Sequence, residues 1–227
     1  LKARLIPLHP QKIPKQIKLK MQLAVKMGPD DLSLDMRDIY LGTKSPYLQL
    51  KKMRGVIRKI NNQLVWDNLR LNFDKTNLHS QGSLNLDSIV KSEGTLVISP
   101  LQLNEFQSWF PSVKLNGSPE ILLKMDALKN QSNLNLSVAE AQQKILLSGR
   151  LNHSTDQPVY SFQLNLDSLD GMHWTGRKEL QSSINGSVYI QGNGTNIEEN
   201  DVQTHGTFEN VSYGGYKMNN LRFNINK

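Results

Sequence analysis

Histidines, carboxylate pairs and tryptophans are the residues of this chain whose chemistry could serve a catalytic or metal-binding site. The five histidines are His9, His79, His153, His173 and His205, and none stands in the His-x-x-His or His-Glu-x-x-His spacing that brings two imidazoles to one metal ion. The chain contains no cysteine, which excludes thiolate-bound zinc, iron–sulfur clusters and disulfides. The sequence therefore predicts no metal site and no cofactor.

Paired acids and activated nucleophiles are equally poorly represented. The adjacent carboxylates at 30–31 and 198–199 lie in polar, turn-like stretches, whereas a glycosidase needs two acids that face one cleft. The Gly-x-Ser-x-Gly motif of a nucleophilic serine does not occur. Residues 192–194, Gly-Asn-Gly, lack the lysine and the following helix of a phosphate-binding loop, so a hairpin turn is the better interpretation. We predict that the protein is not an enzyme.

The three tryptophans, Trp66, Trp109 and Trp174, fall in distant segments. A surface that stacks nucleic-acid bases combines aromatic side chains with basic residues between them, and that interleaving is absent. We expect these tryptophans to pack against the protein itself, and we predict no nucleic-acid partner.

Positive charge is concentrated at the beginning of the chain. The net charge is +7, and residues 1–60 carry 14 lysines and arginines against 4 aspartates. A basic end suits nucleic acid, anionic lipid headgroups or an acidic protein, and a solvated strand face would explain it equally well. The sequence has no apolar run near 18 residues and no leader-like start, so we expect neither a membrane span nor a signal peptide within it.

Apolar and polar residues alternate with a period of two almost throughout, as in Leu69, Leu71 and Phe73 or in Phe162 and Leu164. This pattern is typical of antiparallel strands with one buried face, and turn residues separate a dozen or more such segments. The sequence therefore predicts an all-β fold built from a long antiparallel sheet.

Residues 99–111 interrupt the alternation. Ser99 could cap a helix with Pro100 at its first position, and Pro111 would end it. We predict a short helix near residues 100–109 that closes or plugs the sheet.

Glycines recur in the strands, each followed by a polar and then an apolar residue. They stand in phase with the apolar positions, so that each removes a side chain from the apolar face. Such glycines allow a sheet to curl sharply or allow an opposite wall to approach. The five glycines predicted to bend the sheet are Gly82, Gly94, Gly149, Gly186 and Gly206.

Four segments carry a resemblance to a known family. Residues 206–227, GTFENVSYGGYKMNNLRFNINK, resemble the repeat of TamB-like and wider AsmA-like bacterial envelope proteins: a glycine, an alternating strand, a tyrosine-flanked hairpin and a strand that begins at Asn-Leu. Residues 68–86 and 141–153 are similar to further copies, and residues 98–111 resemble the short helix that interrupts such chains. The resemblance extends over most of residues 60–227.

The resemblance implies a sheet curled lengthwise into an elongated apolar groove, a β-taco, in the periplasm of a Gram-negative cell. Proteins of this family are implicated in phospholipid transport between the inner and outer membranes, and TamB-like ones in outer-membrane assembly with a barrel partner. The chain would then be an internal segment, with its inner-membrane anchor and the region that engages the barrel protein outside it. We expect an extended basic lead-in at 1–15 and the groove at 16–227, with the 99–111 helix as a candidate division.

In this interpretation the ligand is phospholipid, whose acyl chains lie against the inward strand residues. The residues predicted to line the groove are Leu69, Leu71, Leu84, Leu96, Ile98, Leu123, Leu147, Leu151, Phe162, Leu164, Val188 and Phe223. Two alternatives remain open: a closed structural or adhesive β domain with a dry interior, and a chaperone-like groove that binds strands of outer-membrane proteins by edge pairing.

Overall fold

A computed structural model gives the structure of the chain. It describes residues 16–29, 31–87, 91–111, 114–128, 130–152, 157–194 and 201–227. The predicted lead-in at 1–15 lies outside the described residues, as do His9, His153 and the acidic pair at 198–199.

The described residues form thirteen antiparallel β-strands in one sheet, and each strand pairs with its neighbours in chain order. The sheet is not closed, because β1 and β13 do not pair with each other. The predicted all-β antiparallel architecture is confirmed. The strands are β1 (Gln16–Met27), β2 (Asp31–Lys44), β3 (Leu48–Ile60), β4 (Gln63–Asn72), β5 (Asn77–Asn85), β6 (Ser92–Ile98), β7 (Glu120–Leu128), β8 (Gln131–Glu140), β9 (Gln143–Asn152), β10 (Val159–Leu169), β11 (Ser182–Asn193), β12 (Val202–Tyr213) and β13 (Tyr216–Asn226).

Short turns join several of the neighbouring strands and bring them into direct pairing. Between β12 and β13, for example, Gly214 and Gly215 have φ angles of 55° and 85°. A two-residue hairpin turn with positive φ at both positions matches the natural twist of the flanking strands, and glycine adopts it without steric cost. Tyr213 and Tyr216 are consequently directly paired across the turn.

The short helix predicted near residues 100–109 is present as a single 3-10 turn at Leu103–Phe106, which is shorter than the predicted segment. Ser99 does not cap it: its Oγ donates to Glu120 at 2.8 Å. The backbone N–H of Ser99 donates to the carbonyl of Asn77 at 2.9 Å, which continues the β5–β6 pairing beyond the end of β6. Sheet pairing therefore uses the residue that would have started the helix.

A second helical segment, between β10 and β11, was not predicted. The α-helix α1 (Gly171–Thr175) is capped by Asp170, whose side chain accepts a hydrogen bond from the N–H of Met172. It ends at Gly176, whose φ of 63° is left-handed, and a 3-10 turn follows at Lys178–Leu180. Both helical segments belong to the two long connections at the same end of the sheet.

Few apolar side chains are fully buried. Among the described residues, Met36, Leu50 and Ala127 are the only buried hydrophobic ones. The described strands therefore do not enclose a large, fully buried apolar core.

Candidate functional site

We call one side of the sheet the apolar face: it is the side that carries Leu96, Leu123 and the residues paired with them in register. Directly opposed residues of neighbouring antiparallel strands project to the same side, so the register decides which residues share this face. One row of opposed residues crosses ten consecutive strands. It contains Leu69, Ser80, Leu96, Leu123, Leu136, Leu147, Leu164, Val188, Gly206 and Phe223.

The structure brings all twelve residues predicted to line a groove onto the apolar face. Seven are in the row just described, and the rest occupy parallel rows. Leu71 is joined to Ile98 through Leu78, and Phe162 opposes Ile190. Leu84 opposes Leu64, and Leu151 opposes Tyr160. All twelve are half-buried. A surface of this kind can accept further apolar groups from a ligand.

The one hydroxyl in the long row has its hydrogen bonds satisfied. Ser80 accepts a hydrogen bond from Nε1 of Trp66 at 2.9 Å and donates from Oγ to the carbonyl of Thr95 at 3.0 Å. Because both polar groups are engaged within the protein, this position does not oblige a ligand to supply a polar partner. The row therefore remains apolar in character at Ser80.

The five strand glycines also lie on the apolar face, and four of them oppose an aromatic side chain on a neighbouring strand. The aromatic ring occupies the space into which a Cβ would project. The opposed pairs are Gly82 with Trp66, Gly149 with Phe162, Gly186 with Phe208, and Gly206 with Phe223. Cross-strand packing of a ring over a glycine stabilises a strand where the glycine alone would weaken it.

Sequence reasoning identified these glycines and missed their aromatic partners. Finding the aromatic partners requires the pairing register of each hairpin, because each aromatic residue lies on the adjacent strand directly opposite its glycine. The rings also extend along the face, with Phe208 and Phe223 stacked at 6.2 Å between centroids. The predicted role of these glycines in bending the sheet stays a prediction.

Two long connections lie along one rim of the apolar face, which we call the capped rim: residues 170–181 and the described part of residues 99–119, which is 99–111 and 114–119. Glu140 and Gln143, at the ends of β8 and β9, lie on the apolar face and bond to these connections. Gln143 Oε1 accepts from the N–H of Asp170 and from Nε1 of Trp174, both at 2.8 Å. Polar groups of the connections therefore occupy this end of the face.

Glu140 joins the two connections. Its Oε1 accepts from the N–H of Ser118 at 2.7 Å, and its Oε2 lies 3.2 Å from Nε2 of His173. Asn116 adds direct bonds between the connections, because its N–H and its side-chain Nδ2 donate to the carbonyls of Trp174 and His173 at 3.0 and 2.8 Å. The capped rim is thus one connected hydrogen-bonded network.

The 3-10 turn extends the capped rim toward the first strands. Phe106 packs edge-on against Phe73 with ring centroids 5.8 Å apart, and Ser108 donates to the carbonyl of Tyr47 at 2.7 Å. The connection after β6 therefore reaches back to the turn between β2 and β3.

The Tyr47 phenol has a perturbed pKa. Desolvation, supported by the hydrogen bond from its hydroxyl to Asp74, raises this pKa above its ordinary value.

The opposite rim, which we call the open rim, carries a lysine of the apolar face, Lys59. Among the described residues that pair in register on this face, Lys59 and Glu140 are the only charged ones. Lys59 opposes Leu32 and Leu64, is exposed, and borders a cavity of about 760 Å³. Asn62 and Asp87 line the same cavity. The open rim therefore carries an exposed cation, whereas the capped rim is covered by the two long connections.

Two kinds of feature are absent from the part of the chain that the structure describes. The described residues contain no group of three histidines or acids placed to hold a metal ion. They also include no helix long and apolar enough to cross a membrane. Comparisons of the chain with protein-family models, with curated proteins and with solved structures found no match.

Proposed function

We propose that the chain is a segment of a lipid-transfer bridge of the bacterial envelope, in which the apolar face shelters phospholipid acyl chains. The observation that carries this proposal is the row of half-buried apolar residues that crosses β4 to β13 with its only hydroxyl already bonded. Each methylene that leaves water for this face contributes about 0.8 kcal/mol. The resemblance of the repeated strands to TamB-like and AsmA-like proteins supports the same function.

In this mechanism the sheet curls about the apolar face to form a groove, and lipid moves across successive strands without covalent chemistry. Rows of similar leucines offer neighbouring positions of similar affinity, so no single position traps the ligand. Headgroups remain in water at the open rim, where Lys59 can contact a phosphate, while the capped rim closes the other side. The free energy that drives lipid movement comes from outside this segment.

The proposed setting is the periplasm, with the chain as part of a longer protein anchored in the inner membrane. Phospholipid is the proposed ligand, and a barrel protein of the outer membrane is a proposed partner of the region beyond this segment. This setting follows from the resemblance described above.

Mass spectrometry of lipid extracted from protein purified without detergent tests the proposal. We expect phospholipid at about one or more molecules per chain, because an apolar face of this size is unfavourable in water when empty. A β-rich protein of similar size, purified from the same cells by the same steps, is the control. Protein that carries no more phospholipid than the control would contradict the proposal.

The chaperone alternative is favoured by a separate observation. Among the described residues, no strand pairs with the outer edges of β1 and β13, which are 12 and 11 residues long. An extended peptide could add a strand to either edge. In that case the bound molecule would be an unfolded outer-membrane protein, and it would contact backbone edges rather than the middle of the apolar face.

A further inference from the structure

Charge on the strands is strongly asymmetric. Residues 16–60 carry ten lysines and arginines and, among the described residues, three aspartates. The described residues of 130–227 carry seven basic and six acidic side chains. The positive charge of the folded sheet is therefore concentrated on β1, β2 and β3.

The register places most of these cations on the polar side of the sheet, opposite the apolar face. Lys20 opposes Tyr40, and Lys26 is joined to Arg58 through Ser33. Lys52 opposes Asn72. We call this surface the basic face, and it consists of the polar side of β1–β4 with Lys18, Lys20, Lys26, Lys52, Arg54 and Arg70.

Most of these cations have no acidic partner. The ion pairs on these strands use Arg37, Lys51 and Arg58. No ion pair forms between Lys18, Lys20, Lys26, Lys52 or Arg54 and any other described residue.

The basic face also contains like charges placed directly together. Arg54 and Arg70 are directly opposed across β3 and β4, an arrangement that destabilises a sheet unless an external anion offsets it. Lys18, Lys20 and Lys51 line a shallow cavity of about 470 Å³ together with a single carboxylate, Asp38, and of these three lysines only Lys51 forms an ion pair with a described residue, Asp74. The cations of the basic face therefore outnumber the acidic side chains that pair with them.

The chemistry of β1 favours a bilayer over nucleic acid as the source of that charge. Its other side carries exposed apolar residues, including Leu19, Met21 and Met27, which are 51%, 58% and 80% exposed. Tyr40 is the only aromatic residue on the basic face among the described residues, too few to form a base-stacking surface. Because β1 is an edge strand, its cations and its apolar side chains are both exposed along one edge of the sheet, and a membrane interface offers anionic headgroups and hydrocarbon to such an edge together.

We infer that the basic face of β1–β4 docks on the surface of an anionic phospholipid bilayer. The inference stands apart from the proposed lipid transfer, because the cations lie on the opposite side of the sheet and the apolar row that carries the transfer proposal crosses β4 to β13 without β1. Each basic residue near an anionic membrane contributes about 1 kcal/mol, which is about a fivefold change in partitioning.

Flotation with vesicles tests the inference. The protein is mixed with vesicles of phosphatidylcholine alone or with vesicles in which about one third of the lipid is phosphatidylglycerol. We expect binding to the anionic vesicles only, and its loss at 1 M salt, where the screening length falls to about 3 Å. The combined variant Lys18→Glu, Lys20→Glu, Lys52→Glu and Arg54→Glu should weaken binding by more than about a hundredfold.

A second variant of equal charge change serves as the control. It combines Lys144→Glu, Arg150→Glu, Lys217→Glu and Arg222→Glu, all on the polar side of β9 and β13. It should lose much less binding, because those residues lie far along the sheet from β1. A glutamine version of the first variant removes the charges without reversing them and should also lose binding while it retains the far-UV spectrum of the folded protein.

Several outcomes would overturn the inference. Equal binding to neutral and anionic vesicles would contradict it, as would equal losses in the test and control variants. Tighter binding to double-stranded DNA than to anionic vesicles would assign the surface to nucleic acid instead. Lipid extracted from the variants reports on the apolar face separately, so failure of one proposal leaves the other measurable.

Discussion

Replacement of Leu164 by arginine is expected to lower the phospholipid that co-purifies with the protein by at least about tenfold. Leu164 lies between Leu147 and Val188 in the middle of the long apolar row. A guanidinium group there would have to lose water when acyl chains cover it, and such burial costs several kcal/mol without a paired charge. Quantitative mass spectrometry of extracted lipid measures the loss.

Asn165→Arg is the matched control for this experiment. Asn165 is the next residue on the same strand, it opposes Leu146 and Ser187, and its side chain points to the opposite side of the sheet. This variant should retain its lipid, and both variants should keep their β-sheet spectrum. Equal lipid content in Leu164→Arg and the parent protein would refute the assignment of the apolar face to acyl chains.

Replacement of Gly82 by alanine is expected to destabilise the sheet by about 1–3 kcal/mol, the usual cost of overpacking a well-packed site. A Cβ at this position would lie 2.5 Å from the carbonyl oxygen of Glu93 and 2.6 Å from the Trp66 ring. The carbonyl belongs to the backbone of β6 and cannot rotate away, so the strands themselves must separate. Urea denaturation followed by circular dichroism measures the change.

Gly94→Ala provides the comparison, because Gly94 directly opposes Gly82 in the neighbouring strand. The nearest atom to its added Cβ would be a ring carbon of Trp66 at 3.4 Å, which is an ordinary contact. Alanine also reduces the conformational freedom of the unfolded chain, so this variant should change stability by less than about 1 kcal/mol. Equal destabilisation by the two substitutions would show that the glycines are not distinguished by the packing described above.

The apolar face could be predicted from the sequence because alternation fixes the side of each residue within its own strand. Leu147 and Leu164 are both in phase with their strands, and antiparallel pairing in chain order then brings them into one row. The same local rule located the glycines. It could not identify Phe162 as the partner of Gly149, because that pairing depends on how many residues each turn contains.

The rims could not be predicted because their contacts join residues distant in sequence. Gln143 and Trp174 are 31 residues apart, and nothing in the polar segment around either one indicates the hydrogen bond between them. Ser99 and Pro100 do form a sequence pattern typical of a helix start, yet backbone pairing with Asn77 takes precedence there. Tertiary pairing overrides local preference at both places.

Photocrosslinking at two adjacent leucines in living cells tests the central claim most directly. Leu147 lies on the apolar face opposite Leu136 and Leu164, whereas Leu146 lies on the other side opposite Ser137 and Asn165. A photoreactive amino acid at position 147 should give phospholipid adducts, and the same group at position 146 should give few or none. Equal lipid labelling at both positions, or protein adducts alone at position 147, would contradict the account.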